Sequence, residues 1–205
     1  MAKIVTSEVS TASGPAQVVS EQPVAGKPRF LVALTHGAGG APETPDILAV
    51  RDAARQRGGV TALVMQPYRV KGARAPGSAA KQDAAWTEII AALRAATPGV
   101  PLIQGGRSNG ARVVCRTARE VSATGVIALA FPLHPPGNPE KSRDADLRAA
   151  GTSVLVVNGD RDPFGVPEPD DATRVVVLQG EAHALTKNPA AVGAAVAEWL
   201  DALLS

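Results

Sequence analysis

Six short runs of β-branched and aliphatic residues, each separated from the next by a longer and often alanine-rich stretch, constrain this chain more than any other feature. They are Phe30–Leu34, Val60–Met65, Pro101–Gln104, Gly125–Ala130, Ser153–Val157 and Arg174–Leu178. Apolar residues fall on both faces of each run, the pattern of strands in a parallel sheet covered on two sides. Between them, Thr44 stands where a cap would precede a helix beginning at Pro45, and Gly58-Gly59 stops that helix. Trp86, Ile89, Ile90 and Leu93 share one face of a second helix, which ends at Pro98-Gly99. A third follows Ser108, and a fourth is expected over Pro139–Ala150. The last starts at Asn188-Pro189 and is expected to bury Val192, Val196, Trp199, Leu200 and Leu203. This alternation predicts an α/β fold with a mostly parallel sheet of about six to eight strands and helices on both faces. Lys3–Val9 and Gln17–Val19, divided by Ser13-Gly14-Pro15, predict an antiparallel hairpin at one edge. A length of 205 residues suits one domain spanning 1–205, with 1–27 as the hairpin segment.

Composition narrows the function classes. Apolar residues make up 45% and charged residues 20%, enough apolar surface to offset chain entropy. Lys plus Arg is 21 against 19 Asp plus Glu, a net charge of +2, so no polyanionic partner is expected. An aromatic fraction of 3% argues against base-stacking surfaces, and no nucleic-acid partner is expected. No apolar stretch reaches about 18 residues, so neither a membrane span nor a membrane partner is expected. Met1–Glu8 lacks a charged segment followed by an apolar block, and a cytoplasmic location follows by default. Cys115 is the single cysteine, which excludes an internal disulfide and a cysteine-rich zinc site. It reads as a core residue.

The chemistry concentrates in Gly105–Arg112, where a strand gives way to a helix. Gly106-Arg107-Ser108-Asn109-Gly110 fits G-x-S-x-G. In a nucleophile elbow the serine sits in a strained conformation, and small residues two positions before and after it avoid clashes with strand and helix. The Asn109 N–H would then lie at a helix N-terminus, where unpaired donors favour negative charge. Phosphate binding is disfavoured, because no Gly-Lys-Ser/Thr follows and no G-x-G-x-x-G opens the first βα turn. His36-Gly37-Ala38-Gly39-Gly40 follows the first strong strand and offers a second oxyanion donor, assigned to Ala38 with Gly39 as the alternative. His36 reads as a support residue and not a base. An acid and a base should follow in that order. Asp160 and Asp162 compete for the first role, with Asp162 favoured because its loop has room to turn toward His183. His183 is the only histidine in the expected place for the second. Asp170 and Asp171 read as solvated, and His134 as a loop residue near the site.

These pieces, together with Gln66-Pro67-Tyr68, Ala73–Pro76 and Phe131–Pro136, resemble a small α/β-hydrolase from about residue 30 onward. The nearest likeness is to a dienelactone-hydrolase-like group that includes a testis-expressed protein and a subunit of a chromatin acetyltransferase complex. The resemblance implies a triad of Ser108, Asp162 and His183 and an oxyanion hole of Ala38 and Asn109. It also implies acyl transfer to water from a small-molecule acyl substrate, without metal or organic cofactor. Two departures stand out: Asn109 replaces an apolar residue after the serine, and Glu181-Ala182 precedes the histidine where a shorter polar approach is expected. Only Pro132–Pro139 lies where larger relatives insert a lid, so a capless, shallow site for small or exposed esters is expected. Tyr68, Arg69, Lys71, Arg74 and Lys81 form a basic stretch, a solvated loop in the plainer reading and an anion-selecting rim in the sharper one. Gly39, Arg69, Arg74, Arg107 and His134 are the expected substrate contacts, with Arg107 and Arg112 equally readable as structural tethers. A carboxylesterase-like serine hydrolase leads. A non-catalytic binding scaffold, or a thioesterase, peptidase or lactonase on the same triad, are the alternatives.

Overall fold

The computed structural model describes residues 4–205. Its strands are β1 (Ile4–Val9), β2 (Ala16–Glu21), β3 (Phe30–Thr35), β4 (Gly59–Met65), β5 (Leu102–Arg107), β6 (Gly125–Leu129), β7 (Ser153–Gly159) and β8 (Thr173–Leu178). Its helices are α1 (Pro45–Gln56), α2 (Pro67–Val70), α3 (Ala79–Ala96), α4 (Asn109–Thr117), α5 (Asp144–Arg148) and α6 (Pro189–Leu203). The eight strands form one sheet in the order β1-β2-β4-β3-β5-β6-β7-β8. β1 and β2 pair antiparallel, β2 joins β4 antiparallel, and every other pairing is parallel.

Strand alternation sorts the apolar side chains into two layers. Phe30, Val32, Leu34, Ile103, Ile127, Leu129, Leu155 and Val157 pack with Ile47 and Val50 of α1 and Val192, Val196 and Leu200 of α6. Leu31, Ala33, Leu102, Val126, Ala128, Val154 and Val156 pack on the other face with Trp86, Ile89 and Ile90 of α3 and Val113 and Val114 of α4. One polar network lies inside this second layer. The buried Gln104 accepts a hydrogen bond from Trp86 Nε1 at 2.7 Å and donates to the Val114 carbonyl, so no polar atom of its amide is stranded. The chain runs from β3 to β4 on one side and then to β5 on the other. β3 therefore marks a topological switch, and the loops after β3 and β5 open side by side at the C-terminal edge.

Several expectations are corrected. The fourth helix is one short turn and a half, Asp144–Arg148, because Leu147 is its only buried residue and nothing apolar supports helix over 139–143. β8 is not covered on both sides: it is the sheet's edge, and Val177 is 41% exposed. Thr44 occupies the cap position of α1, but its side chain makes no capping bond. Leu203 is half-buried at the end of α6. Neither α2, a single turn after β4, nor the Ser78 cap of α3 shows in the periodicity. The hairpin is longer than expected on its second strand, and Lys3 lies outside the described residues. No helix among the described residues is long and apolar enough to cross a membrane. No cap domain covers the sheet among the described residues.

Candidate active site

The turn from β5 into α4 is as tight as its sequence requires. Ser108 has φ 53° and ψ −115°, a conformation that costs a non-glycine residue of order 1–3 kcal/mol. A Cβ on Gly106 would collide with the Gly110 carbonyl, and one on Gly110 would lie 2.6 Å from the His36 carbonyl oxygen. Both glycines are therefore steric conditions for the turn. Strain is gathered around this edge: of the four non-glycine residues with positive φ among those described, Ser108, Ala130 and Leu185 lie on three loops that meet here.

His183 joins the serine to the acid. Its Nε2 is 2.9 Å from Ser108 Oγ, and its Nδ1 is 2.8 Å from Asp162 Oδ2. Nδ1–H donating to the carboxylate leaves Nε2 as the acceptor facing the serine hydroxyl. The Asp162 side chain is completely buried, and its other oxygen accepts the Phe164 N–H at 2.9 Å. The Phe164 ring backs the imidazole with centroids 4.4 Å apart. Asp160, the competing acid, is exposed and accepts the Gly180 N–H at 2.7 Å, tying down the turn after β8 instead. The buried Glu181 that departs from the resemblance accepts the Asn188 N–H at 2.6 Å, fastening the His183 loop to the start of α6.

The loop after β3 lies over the serine. A Cβ on Gly37 would sit 3.4 Å from Ser108 Cβ. Gly40 N–H donates to the Gly37 carbonyl at 3.1 Å, which closes a turn around Ala38 and Gly39. The N–H groups of Ala38 and Asn109 have no acceptor among the described residues. Three side chains hold this turn. His36 bonds the Gly37 carbonyl through Nδ1 at 2.8 Å and accepts the Gln66 N–H at Nε2, 3.0 Å away. Both of its nitrogens are thus occupied, and burial holds its pKa below the ordinary value. Tyr68 donates to the Ala38 carbonyl at 2.9 Å, and burial pushes its pKa up to about 12. Arg69 donates to the Gly40 carbonyl at 3.1 Å and to the Ala73 carbonyl at 3.0 Å.

The remaining expected contacts divide. Gly39 is exposed at the tip of the turn. Arg74 is exposed beyond Ala73. Arg107 points inward: Nη2 donates to the His183 carbonyl at 2.7 Å, and Nε lies 3.0 Å from Asp46 Oδ2, close enough for an ion pair but without hydrogen-bond alignment. Arg112 pairs with Asp146 at 2.7 Å. Both arginines are tethers. His134 bonds the Pro135 carbonyl through Nδ1 at 2.9 Å and packs against Gly165 of the acid loop. Cys115 is buried, and burial pushes its thiol above the usual range.

Sequence reasoning missed Asn158. Its side chain accepts the Phe131 N–H at 2.9 Å and donates to the carbonyls of Phe131 and Gly165, both at 3.1 Å. It thereby joins the loops after β6 and β7 and shapes the acid turn. An amide closing an all-aliphatic run was the available signal, because a polar residue buried on a strand needs partners. Asn109 Nδ2 donates to Gln82 Oε1 at 2.6 Å, which links the residue after the serine to α3.

The fold has many solved counterparts. A Xanthomonas campestris protein, described as an a/b serine hydrolase without lid, superposes with a TM-score of 0.81 at 16% identity, covering 98% of this chain and 94% of the other. Dienelactone hydrolase from Anabaena variabilis gives 0.76 at 16% identity, covering 98% of each chain. Est1E from Butyrivibrio proteoclasticus gives 0.74 at 16% identity, covering 97% of this chain and 98% of that one. At such identities these likenesses speak to the fold alone. No curated protein matches the chain in sequence. A family model described as an alpha/beta hydrolase domain matches residues 28–186, from the first parallel strand through the His183 loop, and the chain therefore belongs to that alpha/beta hydrolase family.

Proposed function

We propose that this chain is a serine hydrolase of the carboxylesterase kind, acting on small or exposed esters through an acyl-enzyme. The observation that carries the reading is the continuous hydrogen-bonded line from Asp162 through His183 to Ser108 Oγ, with the serine in its strained turn. His183 Nε2 takes the hydroxyl proton as Oγ bonds to the substrate carbonyl carbon. Asp162 holds the tautomer and stabilises the imidazolium. The N–H groups of Ala38 and Asn109 receive the developing oxyanion, and each such donor is worth roughly 3 kcal/mol of barrier. The C–O bond to the alcohol then breaks, and the alcohol leaves with the proton from His183. Water, deprotonated by His183, attacks the acyl carbon. The acid departs and Ser108 regains its proton.

Ser108→Ala tests the reading. It should abolish hydrolysis of p-nitrophenyl acetate and labelling by a fluorophosphonate probe while leaving the circular dichroism spectrum intact. Undiminished turnover in the variant would refute it. Absence of labelling and turnover in the unmodified protein would favour a binding scaffold on the same fold.

A further inference from the structure

A cleft of about 660 Å³ is walled by the turn of the β1–β2 hairpin, by α2 and by the first turns of α3. Its volume is in the range of small-molecule sites. Its walls are largely alanine and proline, among them Ala12, Pro67 and Ala84. Its charged lining consists of Lys71 and Lys81, and no acidic side chain lines it among the described residues. At the hairpin turn the Glu88 carboxylate accepts the Ala12 N–H at 2.8 Å. Neither ammonium has an ion-pair partner among the described residues. Apolar walls with two exposed, unpaired lysines among the lining suit a molecule with an aliphatic body and an anionic end.

Two lining residues connect the cleft to the candidate oxyanion site. Tyr68 donates to the Ala38 carbonyl, and Gln82 accepts from the Asn109 amide. A group seated in the cleft therefore touches the side chains that hold both oxyanion residues. Arg69, by contrast, is spent on main-chain carbonyls, and Arg74 does not line the cleft.

We propose that this cleft binds the acyl arm of the substrate, and that the arm is a short aliphatic chain ending in an oxyanion held by Lys71 and Lys81. The proposal rests on the hydrolase reading and adds the substrate class: water cleaves the ester at Ser108 to give an alcohol and an acid that carries a second anionic group. A lysine ammonium is a point charge that accepts carboxylate or phosphate alike.

Three measurements separate the claims. Turnover of p-nitrophenyl acetate reports the triad. The ratio of kcat/KM for mono-p-nitrophenyl adipate to that for p-nitrophenyl hexanoate, at low ionic strength, reports the cleft. The ratio should be about tenfold in favour of the adipate, and should fall about tenfold in the double variant Lys71→Glu, Lys81→Glu. A ratio near one in the unmodified protein, or an unchanged ratio in the variant, overturns the proposal. Calorimetric titration of monomethyl adipate and of hexyl phosphate into Ser108→Ala reads binding without turnover. Binding of either, weakened by the lysine reversals, supports the proposal, and the tighter of the two names the terminal group. Binding of neither overturns it. Binding with no hydrolysis of any ester by the unmodified protein would instead sink the hydrolase reading and leave the cleft as a ligand site.

Discussion

Replacing Arg107 by Met should destabilise the protein by roughly 3–4 kcal/mol, in a manner that depends on pH. Arg107 is mostly buried, with a side chain 17% exposed, and its ion-pair partner Asp46 is completely buried. Removing one partner of a buried pair costs about 3–5 kcal/mol. The lower end applies here, because burial already raises the Asp46 pKa and the stranded carboxylate escapes by taking a proton. Loss of the charged hydrogen bond to the His183 carbonyl adds to the cost. Without Arg107, the folded-state pKa of Asp46 rises further above its unfolded value of 3.8. A raised carboxyl pKa contributes stability below the unfolded value that is lost as pH rises through the folded one. The deficit of Arg107→Met should therefore be small in acid and grow toward neutrality. Adding Asp46→Asn removes the stranded charge and should return about 2 kcal/mol at neutral pH. It does not restore the tether on His183, so hydrolysis should stay depressed in the double variant while its stability recovers. Urea unfolding at several pH values measures the first effect, and kcat for p-nitrophenyl acetate the second. A deficit below about 1 kcal/mol, one that does not vary with pH, or a double variant no more stable than the single one would refute the reasoning.

Two further outcomes follow from the same geometry. Ser108→Gly relieves a positive φ worth about 1–3 kcal/mol at the expense of roughly 0.5–1 kcal/mol of glycine chain entropy, so it should raise stability by about 1 kcal/mol and Tm by about 2–4 °C. A lowered Tm in thermal unfolding would contradict the strain argument. Burial keeps the His36 pKa below its unfolded value of 6.5, opposed by its bond to Gly37. Its contribution to stability is whole above pH 6.5 and is lost as pH falls through the folded-state value. His36→Gln should flatten that acid limb in urea unfolding, and an unchanged limb would show that His36 titrates normally.

Local demands made much of this protein readable from its residues. The elbow is visible in Gly106 and Gly110 because the clash that excludes larger residues lies within a few positions of Ser108. β3 to β7 show as aliphatic runs because both faces of a central strand must be apolar whatever surrounds them. His183 stands out because only three histidines exist and one follows a strand at the right place in the chain. Other features depend on partners far away in sequence. Room in the loop favours Asp162 over Asp160, but how that carboxylate meets the imidazole depends on how the loop folds beneath Asn158 and Phe164. Arg107 reads as a ligand contact or a tether alike until Asp46 and the His183 carbonyl, 61 and 76 positions away, are seen to claim it. The exposure of β8, the seat of the β1–β2 hairpin beside β4 and the cleft it walls belong to sheet order. Periodicity records which face of an element is apolar, but only packing decides which elements become neighbours and which polar groups they satisfy.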